Sequence, residues 1–352
     1  MKKRHPLLWI IPLILLLLLL PFVVPSALPY AGAENAELPV FTPVELANPN
    51  PENSLLPLPT AKDPDPSPYA PHPDGYVYDE ETGAAWEYRD GTLYVKIERR
   101  RFPNATVTFT WVQIAEASQL RTHVSRETNP IREAKKIGAV LAINGDWYSG
   151  RPNIGVIYRN GVQMRNPRNF DNYDMLIIDD EGDFHIISRP NTKMEAFAPY
   201  EGSIMHSFLF GPALVIDGEM QVIPDNNYGS GPGMGLMKAA QRQAICQMDR
   251  LTYLIVTAEG PDGSLNNGGL TVPEMAQLCY DMGALNAYNL DGGNSASLIL
   301  NNTKMNRFGK GGPREVTDLL YFITAEPAPV PTDTPVPEVY VAPEEAVVTV
   351  EP

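Results

Sequence analysis

Cysteine is nearly missing from this chain: Cys246 and Cys279 are the only two among 352 residues. So few rule out a disulfide framework, and their spacing fits no zinc motif. A single bond between them stays open beside the plainer reading of two small buried apolar side chains. Histidine is scarce as well. His5, His72, His123, His185 and His206 are scattered, so no histidine cluster points to a metal. Positive charge is in deficit, with 27 Lys and Arg against 42 Asp and Glu and a net charge of −15. Such a surface repels phosphate backbones and argues against a nucleic-acid partner. An anionic small substrate would need a local arginine working against the overall field. No internal repeat is visible.

Proline is abundant, at 35 residues, and unevenly spread. The basic start "MKKRH" is followed by an uncharged apolar run over residues 6–24, and "AGA" at 31–33 resembles a signal-peptidase site. The run is long for a signal peptide and near the lower limit of a membrane span, so residues 1–33 read as a signal peptide or an N-terminal membrane anchor. Either way the basic flank stays inside and the remainder is exported, which predicts an extracellular or cell-surface protein whose N-terminal segment touches the membrane if uncleaved. Residues 34–75 are a Pro-rich linker, expected to be extended and poorly packed. Residues 325–352 repeat that composition with more acid and read as a disordered tail.

Between them, residues 76–324 predict one α+β domain with a mixed, mostly antiparallel sheet flanked by a few helices. Strands are expected over 92–100 and 104–115, and "AVLAIN" reads as a buried strand after a short helix ending at Gly138. Hairpins are expected to turn at Glu181-Gly182 and Asp217-Gly218, and "RQAICQMDRLTYLIVTAEG" as a further strand pair. "TVPEMAQLCYDMGA" is the clearest helix: Thr271 and Glu274 form a capping box, and Met275, Leu278, Cys279 and Met282 share one face.

Four places carry polar or charged residues where an apolar strand stops at glycine. In "AYNLDGGNSASLIL" the carboxylate is Asp291, and Gly292, Gly293, Asn294 and Ser295 follow. An Asp-Gly-Gly turn is most often a hairpin, yet here it also offers bare amides to an anion beside a carboxylate. In "AINGDWYSG", Asn144, Gly145 and Asp146 precede two aromatics. Asn144 could bond sugar hydroxyls, and Trp147 or Tyr148 could stack on a ring. Arg242 opens "RQAICQ" and is the side chain type that forks onto phosphate. Glu259 ends a strand before a Gly-rich loop.

The wording and order of "INGDWYS", "GPALVIDGE", "RQAI", "LIVTAEG", "GLTVPEMAQLCYDMGALNAYNLDGGNSASLIL" and "REVTDLLYF" resemble the phosphodiester glycosidase family over residues 92–324. The resemblance implies a hydrolase that cuts the sugar C1–O bond of a glycosyl-1-phosphodiester, giving free sugar and a phosphomonoester. It implies catalytic Asp291, Glu259 and Arg242, with Asn144, Gly145, Asp146, Gly292, Gly293, Asn294 and Ser295 binding substrate. No metal or cofactor is expected. The sequence departs from the family where Asn294 replaces a common third glycine, Asp146 a small residue and Cys246 a glycine. The expected substrate is a sugar-1-phosphodiester of the cell wall or an exopolysaccharide. Two further readings remain at this point: a non-catalytic carbohydrate-binding module, and a metal-dependent phosphodiesterase with Asp291, Asp146 and Glu259 as ligands.

Overall fold

β-Branched and aromatic runs cut by turn residues dominate the middle of the chain, and they fold as strands. A computed structural model describes residues 37–48, 56–58, 69–150, 154–165, 172–189, 194–224, 228–229, 235–261, 267–307 and 314–327. The apolar N-terminal segment with its cleavage site and nearly all of the acidic tail lie outside the described residues.

The chain begins with β1 (Tyr76–Tyr78), β2 (Ala85–Arg89), β3 (Leu93–Arg101), β4 (Thr106–Ile114) and β5 (Leu120–Thr128). Helix α1 (Pro130–Lys136) leads to β6 (Leu141–Asn144), β7 (Ile157–Arg159), β8 (Val162–Arg165), β9 (Met175–Asp179) and β10 (Phe184–Ile187). Then come β11 (Ile204–Phe208), β12 (Ala213–Ile216), β13 (Glu219–Met220), β14 (Arg242–Asp249) and β15 (Thr252–Ala258). Helix α2 (Val272–Asp281) precedes β16 (Asn286–Asn289), β17 (Leu298–Leu300), β18 (Thr303–Lys304) and β19 (Val316–Phe322).

Instead of one mixed sheet there are four among the described residues, of nine, five, three and two strands. Every strand pair is antiparallel. With two α-helices among the described residues, the protein is mainly β, richer in strand than expected. The nine-stranded sheet runs β1-β2-β3-β4-β15-β14-β16-β12-β13 and the five-stranded sheet β18-β17-β6-β19-β5. Their inner faces meet in a core containing Val95, Ile97, Ile255, Tyr288, Ile143, Leu298 and Leu320. The outer face of the large sheet is covered by α2 through Met275, Leu278 and Cys279. The outer face of the small sheet is covered around α1 by Ala134 and Ile137. Both sheets are thus buried on two faces, which is why β15 and β19 are buried at every residue and show no alternation of apolar and polar residues.

Local signals behaved as their chemistry dictates. The Thr271 and Glu274 side chains cap each other's backbone at the start of α2. The hairpins turn at Gly182 and at Asp217-Gly218, both with positive φ. Cys246 and Cys279 are free, buried thiols.

The Pro-rich segment departs from expectation, because its described parts pack on the domain. The Phe41 ring stacks on Trp111 at 4.7 Å and 11° between planes. Val44 exchanges two hydrogen bonds with the Gln113 side chain, at 3.0 and 2.8 Å. Leu56 is buried in the core beneath the small sheet, and its amide donates to Glu116 at 3.2 Å and to Ser118 at 2.8 Å.

The register gathers particular strand termini at one end. Arg242 pairs with Ala258, Ala258 with Val107 and Val107 with Arg100, while Ala244 pairs with Asn289. The ends of β3, β15 and β16 therefore lie beside the start of β14. A hydrogen bond from the Asp291 amide to the Gly145 carbonyl, 3.3 Å, joins this end to the end of β6.

Candidate functional site

Two sequence motifs meet because Asn144 holds them together. Its amide nitrogen donates to the Asp291 carbonyl at 2.7 Å and to the Gly145 carbonyl at 3.2 Å. Its oxygen accepts from the Ser297 amide at 3.0 Å. Asn144 is 1% exposed, so these bonds are shielded from water and fix the loop after β16 against the end of β6. Its polar atoms are spent on backbone rather than offered to sugar hydroxyls.

The result is a shallow groove lined by Asn144, Gly145, Trp147, Asp291, Ser295, Glu315, Val316, Thr317 and Asp318. Trp147 adopts φ of +54°, a left-handed conformation that costs a bulky residue roughly 1–3 kcal/mol and is often found at functional sites. The Arg314 guanidinium lies over the indole, 5.2 Å from the ring centre, and the Arg314 amide donates to the Asn294 carbonyl at 3.3 Å. Trp147, with Arg314 over its ring, thus stands at the groove beside three acids, Asp291, Glu315 and Asp318.

Behind the lining is a buried ionic cluster that sequence reasoning did not find. Arg159 at the end of β7 donates from one nitrogen to Asp146, 2.9 Å, and to Asp318, 2.8 Å. The other oxygen of Asp146 accepts the Leu209 amide at 2.8 Å. Asp146 and Asp318 are 0% and 2% exposed. Burial, and next the Asp146 charge, push the Asp318 carboxyl up to about 7, against the pull of Arg159. A Cβ on Gly145 would collide with the Asp318 carboxylate, so glycine is required for the loop to lie this close. The available signal was an acid in "VTDLLYF", a strand otherwise free of charge.

The predicted residues are therefore divided. Asn144, Gly145, Asp291 and Ser295 line the groove; Asp146 stands behind it, paired with Arg159, rather than meeting substrate. The Gly293 amide, at φ of +60°, donates to the Gln241 carbonyl at 2.9 Å, so it is committed and not open to an anion. The backbone of Arg242 passes beside Gly292, but its guanidinium turns away to the carbonyls of Leu270, Gly235 and Lys238 at 3.1, 2.7 and 2.6 Å. Burial pushes that guanidinium down to about 10. Glu259 is buried, ion-paired with Arg99 and bonded to the Arg307 amide at 3.0 Å. Neither Arg242 nor Glu259 lines the groove. Asp146, Glu259 and Asp291, the ligand set of the metal-dependent reading, thus have three separate environments.

Acids held at strand ends beside a flat aromatic face are the equipment of a glycosidase-type hydrolase, here built on an antiparallel sandwich. Comparison with known proteins makes that class particular. The family described as phosphodiester glycosidase matches residues 137–323, just over half of the 352, and the chain belongs to it. The SPbeta prophage-derived uncharacterized protein YomE of Bacillus subtilis (strain 168) is 28% identical over 199 residues, 56% of this chain and 29% of that protein. This chain thus spans under a third of that relative's length. Two solved structures share the fold. A hypothetical protein from Synechocystis matches at a TM-score of 0.51 and 16% identity, over 66% of this chain and 62% of that one. The catalytic domain of zebrafish N-acetylglucosamine-1-phosphodiester alpha-N-acetylglucosaminidase matches at 0.50 and 15%, over 70% and 86%.

Proposed function

We propose that the protein is an exported hydrolase that cleaves the sugar C1–O bond of glycosyl-1-phosphodiesters in envelope polysaccharide or glycoconjugate, releasing free sugar and a phosphomonoester. One observation carries this reading: Asn144 and Gly145 converge with Asp291 and Ser295, from a motif far along the chain, on a single groove. Family membership supplies the reaction type.

The departing phosphate is a good leaving group, so the chief demands are stabilising its charge and the electron-poor sugar carbon. Asp291 suits the second demand, because a carboxylate beside C1 favours positive charge there. For the first, Arg314 over Trp147 takes the place assigned from sequence to Arg242, whose donors face carbonyls.

The test is a panel of sugar-1-phosphodiesters assayed chromatographically for free sugar and phosphomonoester. Wild-type protein is expected to release both, and Asp291→Asn to lose about 10²–10⁴-fold in kcat. Calorimetric binding without product from the wild type would replace hydrolysis by a binding role.

A further inference from the structure

We propose that Asp318 is the second working carboxylate of this site and acts as the general base that takes a proton from the attacking water, with Arg159 and Asp146 as its positioning residues. The inference rests on the hydrolytic reading above and puts Asp318 in place of Glu259 as the second carboxylate.

Three observations bear on it. First, Asp318 lines the groove that contains Asp291. Second, its hydrogen bonds, from Arg159 at 2.8 Å and from the Asp146 amide at 3.3 Å, both fall on Oδ2. The Oδ1 lone pairs are thereby left for a water or a proton. Third, one buried guanidinium serves two buried carboxylates, Asp146 and Asp318. Such a set holds one negative charge beyond neutrality, and taking up a proton relieves it. Asp146 accepts on both oxygens, from Arg159 and from the Leu209 amide, whereas Asp318 accepts on Oδ2 alone, so the proton falls to Asp318. Glu259 lacks this freedom, being bound to Arg99 and the Arg307 amide.

The charged and titratable neighbours are few. Asp146 and Tyr148 approach from the segment after β6, Arg159 from β7, and Asp291 and Glu315 across the groove. β5 opposes Asp318 with the neutral Val124. In the water-attack step, the water oxygen forms its bond to C1 as one O–H proton passes to the Asp318 carboxylate. The C1–O bond breaks with its electron pair leaving on the phosphate oxygen, and Asp318 later returns the proton to solvent.

The experiment uses the full-length protein and methyl diesters of α-hexose-1-phosphates as probes. Wild-type kcat/KM is expected to fall below about pH 7, where Asp318 takes up a proton. Asp318→Asn should lower kcat about 10²–10⁴-fold with little change in KM. Added azide, a nucleophile needing no base, should partly restore consumption of the diester as glycosyl azide. Asp146→Asn removes a neighbouring charge and should move the acid limb to lower pH, which a purely structural role would not do. Turnover by Asp318→Asn within a few-fold of wild type, or an acid limb unmoved by Asp146→Asn, overturns the proposal while leaving hydrolysis intact. Should Asp318→Asn fail to fold, the Asp146→Asn limb decides. Absence of free sugar from every probe with wild-type protein overturns the hydrolytic reading itself, and this role with it.

Discussion

Arg159 is a buried cation behind the groove. Its charge is shared by Asp146 and Asp318, and its guanidinium also lies 4.6 Å from the centre of the Phe208 ring. Arg159→Leu would leave two buried carboxylates without their cation and is expected to destabilise the protein by about 3–5 kcal/mol, read from urea unfolding. Asp318 makes a pH-dependent contribution of definite sign. Its folded value of about 7 lies above the ordinary carboxylate range. The folded state therefore holds the extra proton between about pH 4 and 7, and stability falls as pH rises through that window. Asp318→Asn should flatten the stability–pH curve there; an unaltered slope would show that another group titrates. At this scale the sequence was half legible. Asp291 announces itself as a charge ending an apolar strand, whereas Arg159 precedes Asn-Gly and reads as the flank of a surface turn. Its partners Asp146 and Asp318 lie in other motifs, and no local pattern joins them.

The elements themselves were more readable than their arrangement. Helix α2 follows from a capping box, an apolar face and a terminal glycine, all within one short window. Thr271→Ala should cost about 1 kcal/mol of stability, measured as a shift in denaturant midpoint. The hairpins followed in the same way from their Gly turns. The number of sheets did not, because β14 pairs with β16 across an intervening helix, and β6 lies between β17 and β19 from far along the chain. Continuous apolar strands also hide which face meets which layer, since periodicity vanishes when both faces are covered. The groove inherits this: its lining comes from three strand ends whose adjacency is a property of the sandwich, not of any motif.

For the molecule as a whole, the segment ahead of β1 is an attached strap as far as it is described. Proline content pointed to a spacer, and the aromatic surface formed by Trp111 and Tyr94 that receives Phe41 exists only after folding. Phe41→Ala should lower stability by about 1–3 kcal/mol, a drop of several degrees in Tm by calorimetry. An unchanged melting curve would mean that the strap does not contribute in solution. The strap also gives the protein a pole. The Glu37 carbonyl accepts a hydrogen bond from Arg100 at 3.2 Å, one residue from the Arg99 that holds Glu259, at the same end of the large sheet as the groove. Residue 37 is therefore fastened at the end of the large sheet where β14 starts and β16 finishes, not at the opposite end.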